Sequence, residues 1–218
     1  MPRPILIFDF DGTVALGDGP VRAYARAVAT EAGLSPSFVD EIATGLADGD
    51  DDAIDAYDLV RVRALAAGAA PEHLARGYAA SRAQLASDDA PVLAPEGLAT
   101  FLATVDAERI LVTNAPGVRI PEALTALALE GLFDRVVVDA GKPDGLAALL
   151  DELDADAEVL AVGDIWRNDL APAHARGHAT ALVGGYPDPD AAPDFRADTL
   201  PELLPALTEW VRARARTR

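Results

Sequence analysis

A doubly wound α/β protein with an all-helical insertion after its first strand is predicted from three observations. Short apolar runs without polar alternation recur along the chain, the mark of strands buried on both faces. From about residue 95 onward these runs alternate with helical segments, which predicts a parallel sheet covered by helices. Between the first run and residue 95 the chain is Ala-rich, punctuated by helix starts and stops, and shows no strand pattern.

The elements follow in order. Ile5, Leu6, Ile7 and Phe8 form a short apolar run closed by Asp9-Phe10-Asp11-Gly12-Thr13, which reads as a buried strand entering a loop. Gly19-Pro20 starts a helix that stops at Gly33, and Ser35-Pro36 starts a second that fades near residues 45–48. The acidic run 50–52 opens a third, ending near Gly68, and Pro71-Glu72 opens a fourth, ending near Ser87. Thereafter helices are predicted at 95–105, 121–130, 145–153, 168–176 and 200–214. Strands are predicted at 109–113, 135–139, 158–164 and 180–183, with a turn-rich loop at 187–193. The expected division is a sheet-bearing core of residues 1–14 and 95–218, with a four-helix insertion at 15–94.

Composition narrows the function classes. The chain has 218 residues, half of them hydrophobic, enough for one domain with a large insertion or for two small domains. A formal charge of −18 and a pI near 4.3 argue against nucleic-acid and anionic-membrane binding. The absence of Cys excludes disulfides, Cys-ligated zinc, iron–sulfur clusters and thiol catalysis. No apolar run approaches the ~18 residues of a membrane span, and the four apolar residues before Asp9 are too few for a signal peptide. A cytoplasmic protein is expected. Forty-six Ala, 25 Asp and 17 Arg against a single Lys fit either a GC-rich genome or a high-salt cytoplasm. Either way the lone Lys142 stands out.

In a doubly wound sheet, ligands bind beyond the carboxyl ends of the strands. The predicted strand ends carry Asp9 and Asp11, Thr113 and Asn114, the loop leading to Lys142, and Asp164 with Asn168 and Asp169 just after it. Several carboxylates, one ammonium and one hydroxyl would converge on one small volume. Carboxylates packed together repel one another, and a hard divalent cation relieves this. Mg²⁺ suits few carboxylates with water and phosphate oxygens.

These same residues carry a family resemblance. Asp9-Phe10-Asp11-Gly12-Thr13, the strand ending in Thr113, the Gly141-Lys142-Pro143 loop, and Gly163-Asp164 followed by Asp169 resemble, in order and context, the four motifs of the haloacid-dehalogenase superfamily. The resemblance spans the whole chain, and the insertion resembles that family's helical C1-type cap. It implies a Mg²⁺-dependent phosphatase acting on a small phosphorylated metabolite. Asp9 would be the nucleophile that forms an aspartyl-phosphate. Asp11 would protonate the leaving group and then deprotonate water, its main-chain carbonyl also reaching the metal. Thr113 and Asn114 would bind phosphoryl oxygens, and Lys142 would hold Asp9 and the phosphoryl group. The metal ligands would be Asp9, Asp11 and Asp164, with Asp169 orienting metal-bound water or Lys142. Backbone N–H groups near Phe10 and Ala115 would complete the phosphate cradle. The cap would close over the site and choose the leaving group.

Alternatives remain open at this level. A phosphomutase of the same superfamily shares the motifs. The dehalogenase branch needs no acid two residues after the nucleophile, and Asp11 is present. The phosphonate-hydrolysing branch uses a cap Lys, and residues 15–94 have none. A receiver-type phospho-signalling domain is shorter and lacks the insertion. Asn168 reads as a helix cap or a metal-shell residue, and Arg167 as a surface charge or a substrate contact, with Trp166 beside it. His73, His174 and His178 read as surface or helix-end residues. Between residues 14 and 94 there are 13 acids and six Arg, so no basic surface for a polyanion is evident, although Arg22 or Arg26 could act locally.

Overall fold

The computed structural model describes residues 3–48, 53–184, 186 and 188–215. Its six strands are β1 (Ile5–Phe8), β2 (Glu108–Val112), β3 (Arg135–Val137), β4 (Val159–Gly163), β5 (Ala179–Val183) and β6 (Phe195–Ala197). They form one sheet, all parallel, in the order β3-β2-β1-β4-β5-β6. The chain steps outward from β1 to β3, then returns to the other side of β1 with β4. The crevice at that reversal is where a doubly wound sheet binds ligands.

Register fixes what meets there. Phe8 pairs with Leu111 on one side and Val162 on the other. The residues just past these strand ends, Asp9, Thr113 and Asp164, therefore emerge along one carboxyl edge. The ladder continues one step beyond β1, where Asp9 N–H donates to the Val162 carbonyl at 2.9 Å.

The chain folds as two compact units. The first comprises Met1–Leu16, Leu93–Gly117 and Leu127–Arg218. It contains the sheet, α5 (Leu98–Thr104), α7 (Asp144–Asp151), α8 (Ala171–His174) and α9 (Leu200–Ala215). On one face Ile5, Ile7, Val112 and Ala161 pack with Leu146, Leu149, Leu170 and Ala173. The alternate residues Leu6 and Phe8 are equally buried, as a strand covered on both faces requires. Phe133 meets the Phe8 ring edge-on at 6.1 Å.

The second unit comprises Gly17–Val92 and Val118–Ala126. It contains α1 (Gly19–Ala32), α2 (Ser37–Asp48), α3 (Ala56–Ala66), α4 (Pro71–Arg82) and α6 (Ile120–Ala126). Its core is built from Val21, Val28, Phe38, Ile42, Leu59 and Val60 with their neighbours. Gly77 lets α4 approach α1: a Cβ there would lie 2.6 Å from Val28 Cγ2 and 2.9 Å from Val28 N. Tyr24, Tyr57 and Tyr78 pack ring against ring at 5.6–6.0 Å. Arg82 is buried beside them and donates to Tyr57 Oη at 3.4 Å.

Three features differ from the sequence expectation. Segment 118–126, expected in the core, clusters with the helical unit. β6 falls where no strand was expected, held by Asp194, whose Oδ2 accepts from Thr180 N at 2.8 Å and Thr180 Oγ1 at 3.0 Å. The helix expected at 168–176 is instead a π-helical turn, Trp166–Leu170, followed by the four residues of α8. Residues 49–52, which include the expected acidic helix start at 50–52, residue 187 of the expected loop, and residues 216–218 lie outside the described residues. No described helix is long and apolar enough to cross a membrane.

Candidate active site

Four segments of the sheet-bearing unit supply the site. Asp9 follows β1 directly and is buried. Thr113 follows β2 and is buried. Its Oγ1 accepts from Ala115 N–H at 3.0 Å, which curls the next two residues into a turn. Asn114 lies exposed on that turn. Lys142 sits on the loop that follows β3 and opens α7. Asp164 and Asp169 follow β4 and are both buried.

Lys142 joins three of these segments. Its ammonium donates to Asp9 Oδ1 and, at 2.7 Å, to Asp169 Oδ1. Asp169 in turn accepts from the Ile165 N–H through Oδ2 at 3.0 Å, so both of its oxygens are held. The π-helical turn is what folds Asp169 back onto that N–H. Wide turns of this kind recur at functional sites. Gly163 makes room for it: a Cβ there would lie 2.4 Å from Asp169 Cβ.

Oxygens of Asp9, Asp164 and Asp169 lie within 4.8 Å of one another, all on buried residues. The electrostatics follow from that crowding. Burial pushes the Asp9 carboxyl up from 3.8 to about 7, with Lys142 opposing and Asp169 and Asp11 adding repulsion. Burial, then repulsion from Asp9 and Asp169, also holds Asp164 well above the ordinary carboxylate range. Burial disfavours the Lys142 charge, but Asp9 and Asp169 outweigh that and keep its pKa above the usual value.

Asp164 Oδ1 is buried and makes no hydrogen bond to the described residues. An orphaned carboxylate oxygen amid mutually repelling acids is a costly arrangement that a cation offsets. The donors are oxygens only, which fits a hard divalent ion better than a soft one. Gly12 allows this closeness. Its φ is +86°, and a Cβ on it would lie 2.3 Å from Asp164 Oδ2. The residues present thus fit a metal site.

The structure brings Asp9, Lys142, Asp164 and Asp169 together as one cluster. Asp11 is half-buried on the loop after Asp9, and its side chain is outside the triad of grouped carboxylates. Asn114 turns its carboxamide to the Lys142 main chain, with Oδ1 accepting from Lys142 N at 2.6 Å and Nδ2 donating to Lys142 O at 3.3 Å. Arg167 is exposed. Trp166 belongs to the core and lies 5.2 Å from the His174 ring. His73 Nδ1 accepts from Ala70 N–H at the start of α4. Sequence reasoning did not identify the Ile165 N–H or Gly163 as supports. The only local signal was the Gly163-Asp164 step at a strand end.

No family model and no curated protein matches the sequence. Solved structures do match. A predicted phosphoglycolate phosphatase from Haemophilus somnus is 18% identical, with a TM-score of 0.67, over 94% of this chain and 98% of that one. YfnB from Bacillus subtilis, assigned as a HAD hydrolase and bound to magnesium, is 19% identical, with a TM-score of 0.63, over 95% and 99%. A 2-haloacid dehalogenase from Pseudomonas syringae is 19% identical, with a TM-score of 0.57, over 95% and 99%. The chain has the haloacid-dehalogenase hydrolase fold.

Proposed function

We propose that the protein is a Mg²⁺-dependent phosphatase that hydrolyses a small phosphate monoester through an aspartyl-phosphate on Asp9. The observation that carries this reading is the Lys142 ammonium between buried Asp9 and Asp169, beside the orphaned oxygen of Asp164. That grouping suits a dianionic phosphoryl group and its counter-ion.

Asp9 Oδ2 or Oδ1 attacks phosphorus and forms a P–O bond as the ester P–O bond breaks. Asp11 gives its proton to the departing alkoxide. Asp11, now a base, takes a proton from water, whose oxygen attacks phosphorus and releases Asp9 as a carboxylate. Thr113 and main-chain N–H groups near Phe10 would bind the phosphoryl oxygens, the Ala115 N–H being taken up by Thr113 Oγ1, and Lys142 offsets charge in both steps. Asp9 and Asp164, with the Asp11 main-chain carbonyl, would hold the Mg²⁺, which supplies neutralising charge for the anionic nucleophile and phosphoryl group. Asp169 keeps Lys142 in place. The helical unit is the element proposed to discriminate among substrates.

The test is hydrolysis of an aryl phosphate, then of a panel of phosphorylated metabolites, with Mg²⁺ and with excess chelator. Turnover with Mg²⁺ that vanishes on chelation is expected. Undiminished turnover in metal-free buffer would overturn the reading.

A further inference from the structure

We propose that Asn114 is a positioning residue that sets the Lys142 ammonium in place by clamping the Lys142 backbone. The inference rests on the function proposed above for Lys142. The carboxamide presents an acceptor and a donor side by side, as a neighbouring strand would. Oδ1 takes the Lys142 N–H at 2.6 Å and Nδ2 gives to the Lys142 carbonyl at 3.3 Å. Both main-chain polar groups of one residue are thereby paired with one side chain 28 positions away.

The need for such a clamp follows from the loop. Lys142 lies in a connection between β3 and α7, preceded by Gly141 at φ +66°. No strand ladder reaches it. A flexible four-carbon stem delivers a point charge accurately only where its own backbone is fixed. At the far end the ammonium is held by Asp9 and Asp169, so the Asn114 clamp fixes the near end. The turn that carries Asn114 is itself anchored by the Thr113 Oγ1 bond to Ala115 N–H. The loop bearing the cation is thus tied to the turn that follows β2. With its carboxamide committed to Lys142, Asn114 acts through that residue rather than by gripping the phosphoryl group.

The sequence allows a clean test, because Lys142 is the only Lys in the chain. Protein grown with ¹⁵N-lysine gives a single backbone amide signal. In the parent this amide should exchange slowly with solvent. Asn114→Ala should shift the signal and speed its exchange by roughly 10-fold or more, the loss of about one hydrogen bond's protection. Asn114→Asp, which keeps the acceptor but sets an oxygen against the Lys142 carbonyl, should fall between the two. An unshifted, equally protected amide in Asn114→Ala would overturn the clamp.

Aryl-phosphate turnover supplies the second arm. Asn114→Ala should lower kcat by roughly 10-fold with little change in KM, but it should have no further effect in a Lys142→Ala background. A further loss in that background, or a loss confined to KM, would mean that Asn114 contacts the phosphoryl group directly. If the parent protein hydrolyses no phosphate ester, the proposed function fails, while the amide measurement still decides the clamp.

Discussion

The Lys142 ammonium lies 2.7 Å from Asp169 Oδ1, with side chains only 5% and 4% exposed. Asp9 shares the same ammonium. One cation thus holds two buried carboxylates that belong to different strand ends, and Asp164 lies within reach of both. Removing the cation leaves both acids buried without it.

Lys142→Arg is therefore expected to fold yet lose on the order of 10²-fold or more in kcat. Displacing one preorganised electrostatic group typically costs about 2.7–4 kcal/mol. A planar guanidinium does not fit where a compact ammonium bridges two carboxylates. Lys142→Ala should be at least as inactive. It should also lower stability in metal-free buffer by roughly 3–5 kcal/mol, since it breaks a buried pair. Steady-state kinetics at saturating Mg²⁺ and urea unfolding check both. Parental kcat in Lys142→Arg would reduce the residue to a loop charge.

Gly12→Ala should weaken metal binding and turnover together. The φ of +86° alone disfavours a Cβ by about 1–2 kcal/mol. The added methyl would also strike Asp164 Oδ2, which must move away. A rise of 10-fold or more in the Mg²⁺ needed for half-maximal rate is expected, this being about 1.4 kcal/mol of lost binding. An unchanged Mg²⁺ titration would show that Asp164 is not a ligand.

Much of this was legible in the sequence because it rests on local pattern. Apolar runs of three to five residues ending in Asp9, Thr113 and Asp164 mark strand ends whatever surrounds them. β6 left no such signal. Phe195–Ala197 becomes a strand through pairing with β5 and through the Asp194 bonds to Thr180, both of them tertiary effects. The π-helical turn was equally hidden, since Trp166–Leu170 has an ordinary helical composition. It winds wide where the Asp169 carboxylate returns to Ile165 N–H and Lys142. The placement of the Asn114 carboxamide depends on a partner 28 residues away, which no spacing rule reveals.

Stability should depend on pH and on the cation jointly. Without a cation, folded Asp9 keeps its proton up to about pH 7, while the unfolded chain releases it near 3.9. Asp164 is shifted in the same direction. Between those limits the folded state binds more protons than the unfolded state, so stability falls as pH rises. A bound cation replaces the protons. Mg²⁺ should therefore raise Tm clearly at about pH 7.5 and little at about pH 5. Calorimetric scans at both values check this, and equal shifts would contradict it.

The central claim is that phosphorus is transferred to Asp9, and trapping the intermediate tests it most directly. Asp9→Asn removes the nucleophile, whereas Asp11→Asn keeps it and removes the acid and base that complete the cycle. The measurement is an acid-quenched reaction with a labelled aryl phosphate in saturating Mg²⁺, followed by peptide mapping of the label. The expected result is label on Asp9 in the parent, longer-lived label on Asp9 in Asp11→Asn, and none on Asp9→Asn. Label retained by Asp9→Asn, or mapped to any other residue, would contradict the account.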